Sequence, residues 1–294
     1  MVLILFALGL VFGSFTGAQV WRLRARQLVE DKAAGEEVDG KEFRRLKPLL
    51  GKSASQDRSR CLECGHTLAW YDLLPLVSWI STGGKCRYCK KAIGNFEPAM
   101  EVGVGLYFTI SYIAWPFPRV SPLEWALFAL WLIAGVLFAI LFAYDAKWFL
   151  LPDNINYSLI ATGLLFALTY FALQPSVETA TSIVGSIAMI AGLYWILYLV
   201  SKGEWVGFGD VKLGVGLGLL IADWQKAFLA VFLANFIGCI IVLIFVLMRR
   251  EVRRHMQLPF GPMLIMGAIL AVLWGESIML WYNELILSST RFFI

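Results

Sequence analysis

Seven stretches without a charged residue decide what this chain can become: 1–21, 102–118, 125–144, 154–177, 179–201, 227–248 and 256–275. A helix takes about 20 residues to cross the hydrocarbon core of a bilayer, so each is long enough to cross or nearly cross. An eighth stretch, 213–222, is short and carries Gly214, Gly216 and Gly218. It reads as a real but irregular span that needs Lys212 or Asp223 at its ends to reach the interfaces. Trp115, Trp125, Trp148, Trp205, Trp224 and Trp281 stand at or near the ends of stretches, where amphipathic rings prefer to sit. Pro116, Pro118, Pro122, Pro152 and Pro175 stand between or near the ends of stretches, where helices stop. One such stretch could be a buried helix of a soluble protein; seven together are not. The expected fold is an all-α polytopic membrane protein of about eight transmembrane helices.

Composition agrees. Hydrophobic residues make up 59%, against about 45–50% in ordinary domains. Of 25 Lys and Arg and 21 Asp and Glu, 24 fall within residues 22–95. This pattern excludes an ordinary soluble enzyme, a disordered protein and a basic-patch nucleic-acid binder. The cations also set the orientation, because cytoplasmic loops carry the excess of Lys and Arg. With the 22–95 loop inside, Lys147, Lys202, Lys212, Arg249, Arg250, Arg253 and Arg254 join its 15 cations. Only Arg119, Lys226 and Arg291 fall outside. Both termini are then extracytoplasmic. Residues 1–21 lack a basic start and a small-residue cleavage site, and read as a retained first span.

The loop contains four of the five cysteines, as Cys61-x2-Cys64 and Cys86-x2-Cys89 with 21 residues between the pairs. Two such turns can complete a tetrahedral shell of four thiolates, the preference of structural zinc. Gly65 follows the first pair, where a tight knuckle needs a small residue, and Lys85, Arg87, Lys90 and Lys91 surround the second. The competing reading is a pair of redox disulfides, which a reducing cytoplasm disfavours. His66 is a neighbour of the shell, and Cys239, alone in an apolar stretch, reads as a small core residue. Residues 27–60 read as a mobile or loosely folded insertion. The run from Trp70 to Trp79 is too short and polar to span, and is expected to pack between the cysteine module and the membrane face.

Ionisable residues at membrane depth are costly and are functional candidates by default. Asp145 ends the 125–144 stretch, and Asp210 opens the short eighth one in Gly207-Phe208-Gly209-Asp210-Val211-Lys212. Both fall at the cytoplasmic face. Two carboxylates at one depth can share a proton, one serving as general base on water and the other as donor to a peptide carbonyl. Gly207 and Gly209 would let an extended substrate approach the backbone. Asp153, in Leu151-Pro152-Asp153, is a second-rank candidate that reads equally as a helix cap. Asp223 reads as a cap or interface residue. Glu101 pairs with loop cations or acts as a first-turn acid, and with Glu204 it is a candidate surface for a basic peptide.

These pieces together resemble a family, the prepilin peptidases or type IV leader peptidases, which process type IV prepilins and type II secretion pseudopilins. The likeness runs nearly end to end. It includes Gly13-Ser14-Phe15, Arg60-Cys61-x2-Cys64-Gly65-His66, Trp70-Tyr71-Asp72, Pro75 to Trp79, Cys86-x2-Cys89 and Pro98-x2-Glu101. It continues through Tyr144-Asp145, Leu151-Pro152-Asp153, Gly207-x-Gly209-Asp210-x-Lys212-Leu213 and Pro259-Phe260-Gly261-Pro262. The resemblance implies an inner-membrane aspartic endopeptidase with Asp145 and Asp210 as catalytic pair and Asp153, Gly207, Gly209 and Lys212 around it. It implies cleavage of a basic leader after a glycine, on the cytoplasmic side. It also implies methylation of the new amine with S-adenosylmethionine, tied to the cysteine loop, with Gly94 and Glu101 in that region. The sequence departs from the family pattern at Gly17, Leu73, Asn95, Phe96 and Glu97, the last in place of a tyrosine. Most departures lie around the loop, so they bear on methylation more than on proteolysis.

The expected organisation is a first span at 1–21, a cytoplasmic loop at 22–97 with its zinc module at 61–89, and a membrane peptidase domain at 98–294. The expected partners are a prepilin or pseudopilin and the lipid bilayer. Three other readings stay open: a presenilin-like intramembrane aspartic protease, a proton-coupled transporter and a membrane redox protein. The cysteine loop and Leu-Pro-Asp disfavour the first. The placement of both aspartates at one face disfavours the second, and a reducing compartment the third.

Overall fold

Each of the eight apolar stretches carries a helix. The structure, a computed structural model, describes residues 1–50, 58–247 and 259–290. The basic group at 249–254, the start of the 256–275 stretch and Arg291 lie outside the described residues. Six helical segments are long and apolar enough to cross a membrane: Val2–Ala33, Pro122–Trp148, Asp153–Leu173, Val177–Ser201, Trp224–Ile244 and Phe260–Leu285. The 102–118 and 213–222 stretches form two further helices. No strand occurs among the described residues, only two isolated bridges. The chain packs as two compact units, Met1–Ile113 and Ala114–Ile294.

In the first unit, α1 (Val2–Ala33) runs well past its apolar stretch. The short α2 (Gly40–Leu46), capped by Asp39, folds back and buries Leu46 against Ala25 and Leu28. Phe43, Leu49 and Trp21 complete this small core, and Arg24 pairs with Glu42 at 2.8 Å. The described part of 27–60 is therefore folded and mostly helical, contrary to the expected loose insertion. Its few apolar side chains share one face, and that suffices to dock seven residues on an existing helix. Residues 51–57 are outside the described residues. After the short α3 (Val77–Ser81) comes α4 (Phe96–Ala114). It packs against α1 where side chains are missing. A Cβ on Gly13 would lie 2.5 Å from the Glu101 Cα, and one on Gly9 would lie 2.6 Å from the Gly105 Cα. Small residues every fourth position are how helices approach in a membrane, where van der Waals packing drives association.

In the second unit, Ser121 caps α5 (Pro122–Trp148) and Glu124 reaches back to the Ser121 N–H at 2.8 Å. Phe149, at φ 56°, ends the helix. Then follow α6 (Asp153–Leu173), α7 (Val177–Ile187), a π-helical turn (Ala188–Gly192), α8 (Leu193–Ser201), α9 (Phe208–Ile221), α10 (Trp224–Leu247) and α11 (Phe260–Thr290). The eighth stretch is a regular helix, not an irregular span. At 14 residues α9 is about 21 Å long, short of the roughly 30 Å hydrocarbon core. Its glycines serve packing: a Cβ on Gly214 would lie 3.0 Å from the Ala191 Cα, and one on Gly218 would lie 2.7 Å from the Ile187 Cα. Asp223 accepts from the Gln225 and Lys226 N–H groups and caps α10, as expected. Cys239 is exposed on α10 and not a core residue.

Two glycines separate these roles. Gly218→Ala should lower stability by about 1–3 kcal/mol, the usual cost of overpacking. Gly103→Ala, where a Cβ meets nothing within 4 Å, should be neutral or raise it by about 0.5–1 kcal/mol. Thermal unfolding midpoints in detergent measure both.

Candidate active site and metal site

Asp145 lies in the last turn of α5 and is 6% exposed. Its Oδ2 accepts from the Gly261 N–H at 2.9 Å. A Cβ on Gly261 would stand 2.7 Å from that same oxygen, so only glycine lets this amide in. Asp210 lies in the first turn of α9, half-buried, and its Oδ2 accepts from the Gly207 N–H at 3.2 Å. The two carboxylates are close enough for the charge of Asp210 to act on Asp145. Neither Oδ1 has a hydrogen-bond partner among the described residues. Each acid thus has one oxygen fixed by the main chain and one available to a reacting group.

Leu151 joins the segments around them. Its side chain lies 3.0 Å from where a Gly209 Cβ would be and 3.4 Å from where a Gly261 Cβ would be. Asp153 is the first residue of α6, after Pro152, and makes no cap hydrogen bond. It instead pairs with Lys212 at 2.7 Å, whose ammonium also lies over the rings of Tyr157 and Phe208. The cap reading of Asp153 therefore fails. A proline at the N-cap position fixes the helix start, which leaves the carboxylate free to reach α9.

Three residues of this site carry no role in the sequence reading. Gly261 supplies the amide on Asp145. Asn156 is fully buried and donates to the Gly209 carbonyl at 3.3 Å. Tyr194 packs on Phe260 at 5.3 Å within reach of the Asp210 charge. A buried asparagine in an apolar helix is the one sequence signal that points to any of them.

The four cysteines of the first unit come together. Their Sγ atoms all lie within 4.8 Å of one another, with Cys61 and Cys89 at 4.0 Å. A tetrahedral ion with bonds of about 2.3 Å to sulfur sets edges of about 3.8 Å, so the thiols fit one. The knuckles are copies of each other. Gly65 N–H donates to the Cys61 carbonyl and Lys90 N–H to that of Cys86, both at 2.9 Å. Gly65 and Lys90 both take positive φ, +71° and 60°. Burial pushes the Cys61 thiol up to about 12. Burial also opposes ionisation of Cys86, but hydrogen bonds from the Cys89 and Tyr88 amides outweigh it and bring that thiol down to about 7. The His66 ring lies tilted against that of Tyr88, with centroids 3.6 Å apart, and is not part of the cysteine cluster. Asp72 ties the apolar run to the second knuckle through Arg87 at 3.0 Å and Tyr88 at 3.1 Å.

Gly94, at φ +94°, accepts from the Trp79 indole at 2.9 Å. Glu101 is 6% exposed, and its Oε2 accepts from the Leu76 N–H at 2.8 Å. It pairs with no cation among the described residues and is not a surface acid. The apolar run presents Trp70, Val77 and Ile80 to the outside.

Comparison with known proteins identifies the family. Residues 7–115 match the family model for the bacterial peptidase A24 N-terminal domain, and residues 127–243 match that for the type IV leader peptidase family. A prepilin leader peptidase/N-methyltransferase of Pseudomonas aeruginosa is 33% identical over 96% of this chain and 93% of the relative. One of Stutzerimonas stutzeri is 31% identical over 96% and 94%. A type 4 prepilin-like proteins leader peptide-processing enzyme of Escherichia coli is 28% identical over 90% of each chain. No solved structure matches significantly. With both halves matched in order and relatives aligned nearly end to end, this multi-pass membrane chain belongs to the type IV leader peptidase family.

Proposed function

We propose that the protein is a membrane aspartic endopeptidase that removes the basic leader of type IV prepilins or type II secretion pseudopilins. The observation that carries this reading is the pairing of Asp145 and Asp210, each held by a glycine N–H on one oxygen only. Two carboxylates in this arrangement share one proton. The ionised partner takes a proton from water, while the protonated one donates to the scissile carbonyl. Lys212 pairs with Asp153 at 2.7 Å, and neither Asp145 nor Asp210 has an ion pair among the described residues. Both acids sit at helix ends, which suits a cut at the membrane surface after the leader. The cation distribution supports the cytoplasmic side of a bacterial inner membrane.

Zinc is the ion that suits Cys61, Cys64, Cys86 and Cys89. Four thiolates close its shell, so its role is structural. The relatives' names support a second activity, N-methylation, which the family resemblance ties to the new N-terminal amine and to the cysteine loop. S-adenosylmethionine, when bound, supplies a methyl group for such a step. The side chains present for it are those of an open cavity of about 180 Å³ whose wall includes Ser14, Trp21, Glu97 and Glu101.

Cleavage of a purified prepilin, read by mass spectrometry of the product's N-terminus, tests the dyad. Asp145→Asn and Asp210→Asn should each lose about 100-fold or more, the range of general acid–base catalysis, with unchanged thermal midpoints. Gly261→Ala should cost about 10–100-fold by displacing Asp145. Asp153→Asn should cost less than about tenfold, since an exposed ion pair contributes about 0–1 kcal/mol. Normal turnover in either aspartate variant overturns the assignment.

Metal analysis should find one zinc per chain. Gly65→Ala places a side chain at φ +71° and should destabilise the knuckle by about 1–2 kcal/mol. It should therefore release zinc to a chelator faster than the native protein. Lys90→Gly relieves the same strain in the second knuckle and should slow release.

A further inference from the structure

We propose that the apolar run from Trp70 to Ile80 inserts into the bilayer interface and anchors the cysteine module to the lipid surface. The run is built with its polar groups turned inward. Asp72 accepts from Arg87 and Tyr88, the Trp79 indole donates to the Gly94 carbonyl at 2.9 Å, and the Leu76 N–H donates to Glu101 at 2.8 Å. Its apolar side chains point the other way. Trp70 is 74% exposed, Val77 62% and Ile80 69%, with Leu73 and Leu74 exposed between them. Residues 73–84 carry no charge at all. Single exposed apolar side chains are ordinary, but a continuous uncharged face of this kind marks an interaction surface.

The bond to Glu101 sets the depth of this face. Glu101 is the last charged residue before the 102–118 stretch, so it marks where α4 enters the hydrocarbon. A second marker comes from α1. Trp21, the last residue before Arg22, donates to Glu97, one turn earlier on α4. The two boundaries lie four residues apart along α4, about 6 Å, and Leu76 is bonded at the deeper one. Interfacial segments bury an apolar face about 5–10 Å into the headgroup and acyl boundary, which is this same layer. All of these contacts fall within the first unit.

Composition and charge favour lipid as the occupant. A tryptophan and aliphatic side chains in one face suit the headgroup level. Lys85 and Lys90, just beyond the run, are exposed and have no carboxylate partner among the described residues. Cations at that level meet the phosphates of an acidic leaflet. The anchor does not depend on the peptidase reading, and neither does its test.

Spin labels test it in the full chain, reconstituted in vesicles of phosphatidylethanolamine and phosphatidylglycerol. Val77→Cys and Ile80→Cys, each in a Cys239→Ser chain, carry the label. Glu36→Cys, exposed just after α1, is the aqueous reference. Labels at 77 and 80 should collide more with oxygen, which concentrates in lipid, than with a water-soluble nickel chelate. The label at 36 should show the reverse. A preference for the chelate at 77 and 80 overturns the proposal. Exclusion of both reagents overturns it too, because a protein surface then covers the face, from this chain or a second copy. Thermal midpoints establish that the variants are folded.

The native chain gives an independent reading. Trp70 is more exposed than Tyr88 of the second knuckle, 74% against 39%, so water alone would let hydroxyl radicals oxidise Trp70 first. In vesicles the order should reverse, with Tyr88 oxidised ahead of Trp70. Trp70 oxidised ahead of Tyr88 in vesicles overturns the proposal without any substitution.

Discussion

Close contact at three glycines, with backbone at Gly214 and Gly218 and with a side chain at Gly216, holds α9 in the second unit. Gly214 faces Ala191 in the π-helical turn, Gly216 faces Leu159 on α6, and Gly218 faces Ile187 on α7. Each glycine costs a helix about 0.5–1 kcal/mol in backbone entropy. In a membrane the return comes from van der Waals contact, which grows steeply as backbones approach. The π-helical turn belongs to the same fit, since it is where α7 gives way to α8 beside Gly214. A helix seated this tightly cannot slide or turn. Asp210 in its first turn is placed as firmly as the core behind it.

Both aspartates of the site then use the same device. A main-chain N–H occupies one carboxylate oxygen, and the other is left open. An amide dipole neither titrates nor swings away, so it orients a carboxylate without neutralising it. A lysine in the same place would bind the charge outright. The nearest cation on α9 is Lys212, and Asp153 holds it at 2.7 Å. Gly261 is the counterpart of this arrangement on α11: its missing side chain is what admits the amide to Asp145.

Features carried by long runs or by rare residue types were legible in the sequence. The eight apolar stretches, the paired cysteines and the two aspartates at stretch ends all belong to this class. What depended on a few contacts was not. The continuation of α1 to Ala33 and the docking of α2 rest on Ala25, Leu28 and Leu46, scattered among many charges. Asp153 has the residue type of a cap, but Pro152 takes the N-cap position and Lys212 takes the carboxylate. Cys239 was misplaced for a reason particular to membranes: lipid is as apolar as a protein core, so hydrophobicity does not distinguish the outer face of α10 from the inner one.

Four acids at these sites show how the fold handles partly or fully buried carboxylates. Asp145, Asp210 and Glu101 each receive a main-chain N–H, from Gly261, Gly207 and Leu76. The last of these N–H groups comes from Leu76, a residue at φ 58°, so backbone strain is accepted to deliver it. Glu97 accepts from the Trp21 indole, and its second oxygen is buried with no partner among the described residues. Such an atom costs about 1–3 kcal/mol, and no neighbouring amide is turned to meet it.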